Sequence, residues 1–232
     1  MKALLYKEFK LAMHPICYVF LFTFPFMMLI PSYPLGVGFI YVLSCYPILF
    51  LGANKGQQSN DLLFSTLLPV RKKDIVLARI ITVILLHVIF IAMMSCIWPL
   101  ANLIKNSIDV EATAAQEEYS SFEVGFSLNG FVSLIAFALV GLALADMIFF
   151  PIYYKHGKSI VMSTLLTLIG FVIYIGTFTV GLPLAIPAYK ELFCDKGIGI
   201  QFAFLGGAIL IYAIIHFLVY KISAKELEKV DF

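Results

Sequence analysis

The chain has 232 residues, of which 62% are hydrophobic and only 13% charged; a soluble domain carries about 25% charged residues. That composition excludes an ordinary soluble enzyme, since helix-length apolar runs consume most of the length and the longest polar stretch, Lys105 to Glu123, is too short to bury a core of its own. The net charge of +2 decides nothing, but the charges sit at the ends of apolar runs, which argues against a nucleic-acid-binding face.

From the N-terminus, Met1 to Met13 reads as an amphipathic elbow helix, with Leu5, Phe9 and Met13 at four-residue spacing and Lys2, Glu8 and Lys10 elsewhere on the wheel. The competing reading is a plain basic flank. Six spans follow in an all-α, polytopic membrane fold, at about 11–30, 35–53, 75–100, 124–154, 159–182 and 197–220. Pro25 is expected to kink the first span. No cleavable signal peptide is expected, because the first ten residues are of mixed charge and the first apolar run is long enough to stay in the membrane. The four cysteines form neither a metal spacing nor a disulfide framework.

Charge fixes the expected orientation. Lys2, Lys7, Lys10, Lys55, Arg71, Lys72, Lys73, Arg79, Lys155, Lys158, Lys221, Lys225 and Lys229 fall on one side of this plan. Only Lys105, Lys190 and Lys196 fall on the other. Loops rich in Lys and Arg stay cytoplasmic, so both termini and the segment 54–74 are expected inside a cell membrane.

That segment is the most specific in the chain. Ser59 or Asn60 suits a helix cap and Asp61 its positive end, while Pro69 stops the helix near Leu68. The result is two turns displaying Leu63, Phe64, Leu67 and Leu68, too short to span and apolar enough to need a partner surface. A surface-lying helix without a partner is the alternative. The next helix starts near Arg71 and runs straight into the third span, so a push on the short helix would reach a spanning one.

Three phrases carry a family resemblance. Leu67-Leu68-Pro69-Val70-Arg71-Lys72-Lys73-Asp74-Ile75-Val76, the opening Met1-Lys2-Ala3-Leu4-Leu5-Tyr6-Lys7-Glu8-Phe9, and Phe150-Pro151-Ile152-Tyr153-Tyr154-Lys155-His156-Gly157 all fall at the matching places on the six-span frame. Together they resemble the ABC-2 type permeases of ATP-binding-cassette transporters, in particular small permeases of the phenol-soluble modulin exporter type. The resemblance implies a working unit of two permeases, either two copies or a related pair, with two cytoplasmic ATPases. ATP and Mg would then be bound by the partner and no cofactor by this chain. It makes Asp61, Leu62, Leu63, Phe64, Ser65, Leu67, Leu68, Pro69 and Arg71 the coupling segment that docks on the ATPase. The cargo it implies is apolar or amphipathic, a peptide first, moved outward by alternating access.

The chain itself is not expected to bind ATP. Gly157-Lys158-Ser159 imitates the end of a phosphate-binding loop, but the glycine needed five positions before Gly157 is Ile152. Asp146 is the one acid inside an apolar run, and His87 and His216 are expected at similar depth in the third and sixth spans. Ionisable residues at such depth point to function by default. Either they form a polar gate, or they are hydrogen bonds that only hold helices together. An intramembrane enzyme built on this trio is the alternative from another class, although neither an H-E-x-x-H helix nor a G-x-S-x-G turn is present. A non-transporting scaffold or immunity protein is a third. The small-residue runs Gly141 to Ala145 and Gly206 to Ala208 permit close helix approach within the bundle or at a dimer seam. The acidic loop Asp109 to Glu123 is either a solvated loop or a cap that attracts cationic cargo.

Overall fold

The computed structural model describes residues 2–8, 15–26, 70–107, 128–156, 160–177 and 197–229. These form helices α1 (Lys2–Lys7), α2 (Pro15–Phe26), α3 (Lys72–Ser107), α4 (Leu128–His156), α5 (Ile160–Gly176) and α6 (Ile198–Lys229), and no strand occurs among the described residues. Outside them lie the expected second span, the docking residues Asp61 to Pro69, the acidic loop and the loop from Pro183 to Lys196.

Three helices, α3, α4 and α6, are long and apolar enough to cross a membrane. At 36, 29 and 32 residues they rise roughly 54, 44 and 48 Å, against a hydrocarbon core of about 30 Å. α5 has 17 residues and is equally apolar. α3 passes through Pro99 without ending, so the expected boundary near Leu100 falls short of the observed one. α6 likewise continues through the charged tail to Lys229. Lys221 to Lys229 is rich in good helix formers, and Glu226 and Lys229 pair across one turn at 2.5 Å.

The buried seam of α3 reads Val76, Ile80, Val83, His87, Phe90, Met94, Ile97 and Ala101, alternating steps of three and four that keep one stripe of a helix against its neighbours. Contacts along it set the directions. Arg79 meets Tyr153 and His87 approaches Asp146, so α3 and α4 run antiparallel. Ser133 meets Gln201 and Asp146 meets His216, so α4 and α6 run the same way. Lys73 pairs with Glu228 at 3.2 Å, which brings the start of α3 to the end of α6. The same end of the bundle therefore holds Arg71, Lys72, Lys73, Lys155, Lys225 and Lys229, the asymmetry expected of a spanning bundle.

α5 leans on α4 at Gly141. A Cβ there would sit 2.9 Å from a Tyr174 ring carbon and 3.3 Å from one of Phe171. The Tyr174 hydroxyl donates to the Phe137 carbonyl at 2.9 Å. Gly206 and Gly207 have open space around them, so of the second small-residue run only Ala208 is buried.

The outer surface is apolar. Leu210, Ile214 and Phe217 of α6 and Ile173 of α5 are more than half exposed, while Arg79, His87, Asp146 and Gln201 are buried. Greasy outside and polar inside is the distribution a bilayer favours, since only interior polar groups find partners there. The chain is a helical, membrane-embedded protein.

Candidate functional site

Three polar layers cross the bundle. At the basic end, α1 packs on α3 through Glu8. The Arg79 guanidinium donates from Nε to Glu8 Oε2 at 2.8 Å and from Nη2 to Oε1 at 3.2 Å. Its Nη1 donates to the Tyr153 hydroxyl at 3.1 Å, and Lys7 Nζ lies 3.7 Å from Glu8 Oε1. Leu4 and Glu8, four residues apart, share the buried face of this segment. On the helical wheel Glu8 stands off the stripe of Leu5, Phe9 and Met13; in the structure Lys7 and Glu8 are covered and Tyr6 is exposed. The cause is Arg79, which sits on the covered side of α3 beside Ile80. A buried guanidinium needs a carboxylate, and Glu8 supplies it in the bidentate geometry that Arg favours.

The second layer lies eight residues further along α3, about 12 Å deeper. His216 Nε2 is 2.8 Å from Asp146 Oδ2, and His87 Nδ1 is 3.8 Å from the same oxygen. All three side chains are buried. Tyr212, one turn before His216 on α6, joins from both its ends. Its carbonyl accepts a hydrogen bond from His216 Nδ1 at 2.8 Å, and its hydroxyl is 3.0 Å from His87 Nδ1. Because the carbonyl can only accept, His216 Nδ1 carries a proton and its Nε2 faces the carboxylate. A single hydrogen there, on the nitrogen or the oxygen, completes the contact. The ligand-type atoms of His87, Asp146 and His216 all lie within 4.8 Å of one another.

The third layer joins Ser133 of α4 to Gln201 of α6, the hydroxyl donating to the amide oxygen. Both are buried, and near this level of the bundle Trp98 of α3 stacks on Phe131 of α4 with ring centroids 4.9 Å apart.

The structure thus gathers His87, Asp146 and His216 from three helices into one cluster. Arg71 stands exposed at the head of α3, where its carbonyl accepts from the Asp74 and Ile75 amides at 2.9 and 3.4 Å. The other docking residues, Asp61, Leu62, Leu63, Phe64, Ser65, Leu67, Leu68 and Pro69, lie outside the described residues. Four members of the polar layers do not stand out in the sequence as site residues. Arg79 reads there only as an orienting charge, Glu8 only as a wheel position, and Tyr212 and Gln201 are uncharged side chains in an apolar run. The available signal for Arg79 is a cation about one turn inside the expected span 75–100, next to an apolar seam that offers it no acid. No family model, curated protein or solved structure matches the chain.

Proposed function

We propose that the chain is the six-span permease subunit of an ATP-driven exporter of the ATP-binding-cassette kind. It works as a pair in the cell membrane with both termini cytoplasmic. ATP and Mg belong to a separate ATPase, which docks on the segment Asp61 to Arg71. The cargo class is apolar or amphipathic, with peptides first.

The observation that carries this reading is the unbroken helix α3. It begins at Lys72, directly after the Leu67–Arg71 phrase, and continues to Ser107. A displacement at its base therefore travels along one rod to the level of His87 and beyond. The Glu8–Arg79 pair braces that rod against the N-terminal helix. This is the mechanical connection that an ATP-driven push from the cytoplasmic side requires.

The test is co-purification. Chain extracted in mild detergent should retain a soluble ATPase, and Phe64→Asp or Leu67→Asp should release it while the chain stays in the membrane. Unchanged retention by both variants overturns the docking assignment.

The gathering of His87, Asp146 and His216 favours an intramembrane enzyme as the second reading. Asp146→Asn separates the two. It abolishes turnover in an enzyme and leaves ATPase retention intact in an exporter.

A further inference from the structure

We propose that His87, Asp146 and His216, with the Tyr212 hydroxyl beside them, form a binding site for a divalent transition-metal cation of the Zn²⁺ class that ties α3, α4 and α6 together. The inference stands on these side chains alone and is independent of the exporter reading.

The donor set comes first. Two imidazole nitrogens and a carboxylate oxygen suit a borderline cation such as Zn²⁺, with the fourth position, beside the Tyr212 hydroxyl, left for water, whereas Mg²⁺ and Ca²⁺ favour all-oxygen shells of six or more ligands. Spacing comes second. With bonds of about 2.0–2.2 Å, the ligand atoms of a tetrahedral zinc site lie about 3.3–3.6 Å apart. The observed separations bracket that edge: 2.8 Å from His216 Nε2 to Asp146 Oδ2, 3.8 Å from His87 Nδ1 to the same oxygen, and 3.0 Å from His87 Nδ1 to the Tyr212 hydroxyl. The ligand atoms of His87, Asp146 and His216 lie within 4.8 Å of one another, so inward movement of about an ångström seats a cation between them. The cation would take the place of the hydrogen between His216 and Asp146.

Orientation comes third. His216 turns Nδ1–H onto the Tyr212 carbonyl at 2.8 Å, the outer hydrogen bond that presents the other nitrogen to a metal. Burial comes last. The side chains of His87, Asp146 and His216 are 3%, 0% and 5% exposed, so this is an enclosed set of ligands from three helices and not a patch of surface acid.

The experiment uses the full chain in detergent, purified through a handle without histidines. The chain has four histidines, so His14→Gln and His156→Gln are introduced to leave only His87 and His216. Zn²⁺ retained after dialysis is measured by elemental mass spectrometry, and Co²⁺ is titrated as a coloured substitute. The expected result is about one Zn²⁺ per chain and the intense visible absorption of four-coordinate Co²⁺. Zn²⁺ should also raise the midpoint of thermal unfolding. His216→Gln and Asp146→Asn should each weaken binding by about tenfold or more, and Tyr212→Phe should alter the Co²⁺ spectrum. A parent chain that holds no Zn²⁺ and gives no such Co²⁺ absorption overturns the proposal, whether or not the variants fold. So does equal Zn²⁺ content in a folded His87→Gln/His216→Gln double variant.

Discussion

Arg79 and Glu8, 71 residues apart in sequence, meet through two parallel hydrogen bonds inside the bundle, each side chain 4% exposed. Removing one partner breaks the bidentate pair and leaves the other charge buried with its weaker contacts, the Tyr153 hydroxyl for Arg79 and Lys7 for Glu8. Glu8→Gln or Arg79→Met alone should therefore lower stability by about 3–5 kcal/mol, read by thermal or denaturant unfolding in detergent. The double variant Glu8→Leu/Arg79→Met should recover part of that loss, because guanidinium and carboxylate are removed together and only the Lys7 ammonium of this cluster remains. Equal or greater loss in the double variant would show that the pair itself, and not the stranded charge, sets the cost.

Lys73 and Glu228 provide the contrast. Their side chains are about half exposed, at 56% and 47%, and an exposed pair contributes about 0–1 kcal/mol. Lys73→Ala should leave unfolding nearly unchanged and lose what little effect it has as salt is raised. A loss comparable to that of Arg79→Met would mean that this contact is covered in the working assembly.

Gly141 sets the approach of α5 to α4. Gly141→Leu would drive its side chain into Tyr174 and Phe171, whose ring carbons lie 2.9 and 3.3 Å from the Cβ position. Overpacking of this kind costs about 1–3 kcal/mol. Tyr174→Phe, which removes only the hydrogen bond to the Phe137 carbonyl, should cost about 1 kcal/mol. The same unfolding assay checks both, and Gly206→Ala, with open space around it, serves as the control.

At the far polar layer, Gln201→Leu removes the acceptor of the Ser133 hydroxyl. Cross-helix hydrogen bonds in membranes average about 0.6 kcal/mol. The variant should therefore be mildly destabilised and still assemble. A variant that fails to accumulate in membranes would assign Gln201 more than a packing role.

Two kinds of feature are legible in the amino-acid sequence, and they share a cause. Apolar runs announce α3, α4 and α6 because a bilayer demands them, and His87, Asp146 and His216 stand out because charge-bearing groups in such runs are expensive. Their common depth follows from counting residues inward from the basic ends. Pairings between segments stay hidden. Nothing in Met1 to Met13 says that Glu8 turns inward, since the reason is an arginine 71 residues away on another helix. The helical continuation of α6 through Lys221 to Lys229 is hidden for a different reason. Its charge marks the end of a span, whereas Ala, Lys, Glu and Leu hold a helix well beyond the hydrocarbon.

The most direct check of the whole account is the side of the membrane on which α3 begins. In a cysteine-free chain, single cysteines at Arg71 and Lys73 would be challenged with a membrane-impermeant thiol reagent in intact cells. Both positions are exposed at the head of the helix, and in cells that express the chain without its ATPase access is decided by sidedness. The account predicts no labelling until the membrane is permeabilised, and full labelling afterwards. Labelling of either position in intact cells would put the basic end outside, away from any ATPase, and contradict the account.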